Sequence, residues 1–130
     1  MAVIMRVIAG SLLLALLATA GGCARQKVRQ AEHDVEQLRL ALDLYLSEQG
    51  VYPTGSAAEI SQLLRGHALG EQNPTKASYV EAAPGEVNEQ GEFVDPWGTP
   101  YRIIIASPPR VYSCGPNKVD ENGAGDDVSS

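Results

Sequence analysis

Between Arg25 and Gln49 the chain contains neither Pro nor Gly, and its apolar residues recur at helical spacing. Val28, Ala31, Val35, Leu38, Leu42 and Tyr45 alternate in steps of three and four, with Ala41, Leu44 and Leu46 widening the stripe near its end. Arg25, Lys27, Arg29, Glu32, Asp34, Glu36, Arg39, Asp43 and Glu48 fall on the other faces. Gly50 supplies a C-terminal stop and Pro53 bars continuation. The result is a rod of roughly 36 Å at 1.5 Å per residue. Its seam is sparse and small at Val28, Ala31 and Val35 and dense from Leu38 onward. The dense half is expected to pack on a domain, and the first half to stand away as a stalk. Fewer than three full heptads are present, so the stripe reads as core rather than coiled coil.

The whole chain has 130 residues, enough for one small domain beside such a rod. Its net charge is -6, which argues against nucleic acid as a partner and against an electrostatic hold on anionic lipid. Aromatics make up 5% of the residues, so the core is expected to be aliphatic.

The N-terminus reads MAVIMRVIAGSLLLALLATAGGC, with Arg6 as its one charge before Cys23. Sixteen uncharged, mostly apolar residues are short of the roughly 20 that a spanning helix needs, and a basic start with small residues at the end is the pattern of a signal peptide. Met5 offers a second start. The run AGGC resembles a bacterial lipobox, with Ala20 where Leu is preferred. The resemblance implies a signal peptide over residues 1–22, lipidation of Cys23, and a membrane anchor made by the acyl chains. Ala24 after the cysteine implies outer-membrane sorting in lipoproteins of the enteric type. An ordinary cleaved signal and an uncleaved anchor are the alternatives. Cys114 is the other cysteine; it reads as a small buried residue, and a Cys23–Cys114 disulfide stays open if Cys23 carries no lipid.

After Gly50, Ser56 or Thr54 can cap a short helix over Ala57–Leu64, with Glu59 completing a capping box and Gly66 ending it. His33 and His67 have no second ligand at useful spacing. Residues 70–92 form a long polar connection, with a short strand expected at Ser78–Ala82. Asp95–Pro96–Trp97–Gly98 has the chemistry of a turn. Trp97 is the one Trp, and its area is expected to lie against the dense half of the long helix. Tyr101–Ala106 and Arg110–Cys114 read as two strands joined at Ser107–Pro109.

The C-terminal stretch gathers Asp120, Glu121, Asp126 and Asp127, with Asn117 and Asn122, between glycines. A solvated acidic tail is one reading and a loop around a hard cation is the other. Ca²⁺ takes six to eight oxygens from carboxylates, amides and carbonyls, and Gly115, Gly123 and Gly125 allow the backbone to curl. The loop is not an EF-hand, because the glycine spacing is wrong and no Glu closes it. No nucleophile–base pair, paired-carboxylate arrangement or phosphate-binding glycine motif stands out, so neither an enzyme nor a small-molecule substrate is expected.

Together, LALDLYLSEQGVYPT, DPWGTPY at 95–101, SCGPN at 113–117 and GAGDD at 123–127 resemble the major pseudopilin of type II secretion, the protein G family of type IV pilin-like proteins. The resemblance covers about residues 30–128. It implies an α+β fold, with a long N-terminal helix (membrane-proximal over 23–50) packed on a small antiparallel sheet in a globular part over 51–130. It implies a structural role among other secretion-system or pilin-like subunits. It also implies Ca²⁺ in the C-terminal loop, on the backbone carbonyl of Cys114 and the side chains of Asn117, Asp126 and Asp127, with Asp120 and Asn122 as substitutes. Asn117 stands where the family usually has Asp. The family's processing Gly, and the acid at the fifth position after it, are missing: Ala15 occupies the fifth position after Gly10. A chain cut at Cys23 would be a lipid-anchored domain in the periplasm, serving secretion or envelope assembly. A chain that keeps its apolar segment would be a fibre subunit.

Overall fold

Helix α1 (Ala2–Gln49) stops where Gly50 turns to φ +81°, and the Gly50 N–H closes the last turn on the Leu46 carbonyl at 2.8 Å. This computed structural model describes the backbone from Ala2 and the side chains of residues 22–130. The signal-peptide reading of residues 1–22 lies almost wholly outside the described side chains. Among the described residues, no helix is long and apolar enough to cross a membrane.

The α1 stripe is buried as its spacing predicts at Ala31, Val35, Leu38, Ala41, Leu42 and Tyr45. Two expectations fail. Ala31 and Val35 are fully buried, so the stalk is shorter than the seam suggested: only residues 22–27 are exposed throughout, and Val28 is already half-buried. Small side chains there permit close approach rather than signalling detachment. Leu44 is 54% exposed. At 100° per residue it lies roughly 120° from the centre of the buried stripe, too far round to reach the core.

Helix α2 (Ala57–Leu64) carries the expected capping box: Ser56 Oγ accepts from Glu59 N–H at 3.2 Å, and Ser56 N–H donates to Glu59 Oε2 at 2.7 Å. Ile60, Leu63 and Leu64 face α1 and join Leu38, Leu42, Tyr45, Phe93, Tyr101 and Val111 in one core. Each large aliphatic side chain buried there contributes about 1.5–3 kcal/mol.

Strands β1 (Arg102–Ile104), β2 (Arg110–Ser113) and β3 (Val128–Ser129) form an antiparallel sheet in the order β1-β2-β3, on which α1 packs through β2 and β3. Arg102 faces Tyr112 in the first pairing, and Ser113 faces Val128 in the second. The strand expected at Ser78–Ala82 does not form. Instead the N–H groups of Tyr79 and Val80 donate to the Leu64 carbonyl at 2.8 and 3.2 Å, using an acceptor that the end of α2 leaves free. The organiser of the long connection is Asn73, fully buried at φ +49°. Its amide donates to the carbonyls of Leu63, His67 and Ala77, and its Oδ1 accepts from Ala77 N–H.

The 95–98 turn forms, with Gly98 N–H on the Asp95 carbonyl at 2.9 Å. Trp97, however, is only half-buried and stands outside the core. The residue this turn buries is Asp95, whose carboxylate accepts from the N–H groups of Trp97 and Thr99 and from Ser113 Oγ at 2.6 Å, tying the turn to β2. Phe93 and Tyr101 take the core places expected of Trp97.

Candidate metal centre

Residues 114–127 leave β2 and return to β3, and the Ser113–Val128 pairing holds the two ends of this loop together. Gly115, at φ +72°, begins the excursion; a Cβ there would collide with the Asp126 backbone carbonyl. Gly125, at φ +58°, lies so close to the Glu121 carboxylate that a Cβ would strike it. Both ends of the loop therefore depend on the missing side chain of glycine.

The loop's carboxylates separate into two groups. Asp120 faces the sheet. Its Oδ1 accepts from Tyr112 Oη at 2.8 Å and from Asn122 N–H at 3.0 Å, and Arg102 Nε lies 3.3 Å from its Oδ2. Arg110 sits 5.5 Å from the Tyr112 ring centre and donates to the Asn122 carbonyl at 2.6 Å. The Asn122 N–H, the Tyr112 hydroxyl and nearby Arg102 and Arg110 hold the Asp120 carboxyl below its ordinary value of 3.8. Burial and the same hydrogen bond push the Tyr112 phenol up.

Glu121, Asp126 and Asp127 form the second group. Each offers one oxygen, and these oxygens lie within 4.8 Å of one another. Asp127 Oδ2 accepts from the N–H groups of Glu121 at 2.9 Å and Gly123 at 3.0 Å. Its Oδ1 is buried with no hydrogen-bond partner. Asp126 Oδ2 accepts from Asn117 N–H at 3.2 Å, and Glu121 Oε1 accepts from the Asn117 side-chain amide at 2.9 Å. Carboxylates this close repel by about 1 kcal/mol per pair at 4 Å even in water. A buried carboxylate oxygen without a donor is itself costly. An all-oxygen donor set with one orphaned acceptor fits a hard cation.

Of the residues singled out in the sequence, Asp126 and Asp127 come together and Asn117 joins them through its amide and its backbone N–H. Asp120 turns to the sheet, and Asn122 contributes its carbonyl to Arg110. The sequence presents Glu121 only as part of the acidic run. Its place beside Asp127 follows from the loop's return path, which no local pattern in the sequence announces. Cys114 is buried, and burial pushes its thiol up. Both cysteines are free, with Cys23 exposed on α1, so the Cys23–Cys114 bridge left open by the sequence is not formed.

The description of one family, type II secretion system (T2SS), protein G, matches residues 19–130. The chain belongs to this family. In fold it is similar to the major pseudopilin from the type 2 secretion system of enterohaemorrhagic Escherichia coli, known from a crystal structure. The TM-score is 0.59 at 21% sequence identity, over 85% of this chain and 87% of that one. No curated protein matches. The protein G family and the pseudopilin fold are those of a structural component of a secretion machine in the bacterial cell envelope, which works through contacts with other pilin-like subunits.

Proposed function

We propose that this member of the protein G family is a non-enzymatic structural subunit whose C-terminal loop is stiffened by Ca²⁺. The convergence of Glu121, Asp126 and Asp127 around an orphaned Asp127 oxygen carries this reading. Those three residues would hold the ion. The Asn117 side-chain oxygen, which accepts from Val119 N–H at 2.9 Å, would have to turn from that bond to join them, and the Cys114 carbonyl is the further donor that the family resemblance implies. When bound, the ion supplies the positive charge that cancels the mutual repulsion of the carboxylates. Asp120 and Asn122, substitutes in the sequence reading, serve instead as the pin between loop and sheet.

The domain is tethered to a membrane by lipid on Cys23, with its globular part in the periplasm and the outer membrane as destination. The AGGC run before an exposed cysteine supports this. A second reading is a fibre subunit that keeps its apolar segment, and the passage of α1 through Cys23 without a break favours it. Mass spectrometry of the mature N-terminus separates the two. A diacylated Cys23 start, with palmitate labelling lost in Cys23→Ser, supports the anchor. A start ahead of Val7 supports the fibre subunit and ends the lipid reading.

A further inference from the structure

Charge is divided unevenly along the molecule. Residues 22–29 carry Arg25, Lys27 and Arg29 and no acid, whereas residues 30–130 carry six Lys/Arg against sixteen Asp/Glu, a net of −10. The overall charge of −6 averages over this division and does not describe the segment beside Cys23. All three basic side chains are exposed. Among the described residues the one salt bridge is Arg102–Asp120, so the domain neutralises none of the three.

Helical geometry fixes where these charges stand. Counting from Cys23 at 1.5 Å per residue, Arg25, Lys27 and Arg29 sit roughly 3, 6 and 9 Å along α1. The Cα–Cβ bonds of a helix tilt toward its N-terminus, so these long side chains lean back toward the level of Cys23. At 100° per residue Lys27 lies roughly 200° round from Arg25, and Arg29 about 40°. The charges therefore occupy opposite sides of the helix rather than one face. A protein packed alongside would meet Arg25 and Arg29 and miss Lys27. A plane crossing the helix axis meets all three.

The acids begin further along. Glu32 is the first, roughly 14 Å from Cys23, and Asp34, Glu36, Asp43 and Glu48 follow on α1. The Debye length at physiological ionic strength is about 8 Å. A negatively charged plane at Cys23 thus attracts the basic residues, while screening weakens its repulsion of the acids.

We infer that Arg25, Lys27 and Arg29 form a collar that binds the phosphate headgroups of an anionic phospholipid bilayer and holds α1 upright on it. The inference rests on the reading that Cys23 lies at a membrane surface. Acyl chains insert into any bilayer, and a basic patch beside them adds a second signal that selects anionic lipid. The net charge of −10 beyond residue 29 disfavours any tilt that would lower the domain onto the same surface.

The test lets the full chain, delivered from detergent, distribute between neutral phosphatidylcholine vesicles and vesicles containing about one-third phosphatidylglycerol. The wild type is expected to favour the anionic vesicles about a hundredfold, at about fivefold per basic residue. R25Q, K27Q and R29Q should each lower that preference about fivefold, and the triple variant should remove it. Gln is a good helix former, so these exposed substitutions leave α1 intact. K76Q should change nothing. Lys76 is exposed and follows Asn73, which Gln49 contacts at the far end of α1, roughly 39 Å from Cys23. In about 1 M salt, where the Debye length is about 3 Å, the wild-type preference should vanish. A preference that survives the triple variant or the salt overturns the collar. A loss in R25Q and R29Q with K27Q silent assigns the arginines to a protein packed on one face, and also overturns it. A wild type that enters both vesicle populations equally removes the collar alone, whereas one that enters neither removes the membrane reading together with it.

Discussion

Asp120 and Asp127 sit seven residues apart in one loop, yet their surroundings differ in kind. Asp120 meets a guanidinium, a phenol and a backbone N–H, all of which favour its charge. Asp127 gives one oxygen to two backbone N–H groups and buries the other without a donor, beside two more carboxylates. The first is a completed contact that pins the loop to β1 and β2. The second is an acceptor that the protein alone does not satisfy. A run of acids in a sequence can thus contain both a structural pin and a cation site, and partners rather than composition tell them apart.

Four substitutions can break or sharpen that contrast. Gly115→Ala should have the largest effect, about 3 kcal/mol in urea unfolding, because a Cβ at φ +72° meets the Asp126 backbone carbonyl. Asp127→Ala should lower stability by about 2 kcal/mol, since the Glu121 and Gly123 N–H groups lose their acceptor. It should also abolish any response to calcium. Tyr112→Phe should cost about 0.5–1 kcal/mol and leave the calcium response intact, since it touches only the pin. Asp120→Asn should have the smallest effect, and its sign with pH is fixed. The Asp120 carboxyl is depressed in the folded state, so its contribution is complete above the ordinary value of 3.8 and vanishes as pH falls through the depressed one. Acid titrations of wild type and Asp120→Asn should differ above that window and converge below it. Curves that stay parallel to the lowest pH would show that Asp120 is no pin.

Much of the scaffold was legible because its signals are local. The stop at Gly50, the Ser56–Glu59 capping box and the Asp95–Gly98 turn each depend on residues within four positions of one another. The stripe gave the buried face of α1, apart from Leu44, whose angular offset is too large. What stayed hidden depends on distant partners. Asn73 matters because the carbonyls of Leu63, His67 and Ala77, four to ten residues away and in no regular spacing, converge on it. β3 is two residues long and exists only because β2 offers an edge. The size of Trp97 points to the core, but the geometry of its turn buries Asp95 instead. In the loop, Asp126 and Asp127 were identified through the family resemblance, whereas Glu121 enters the cluster only once the chain has doubled back.

The claim on which the loop's role depends is that the Glu121–Asp126–Asp127 cluster takes a divalent ion. Thermal unfolding of the wild type and of Asp127→Ala, each in excess calcium and in excess chelator, tests it most directly. The wild type should melt about 10 °C higher in calcium, as expected for a ligand near a hundredfold over its Kd that binds only the folded state. Asp127→Ala should melt at one temperature in both. A wild type indifferent to calcium, or an Asp127→Ala variant that gains as much from it as the wild type, would contradict the site.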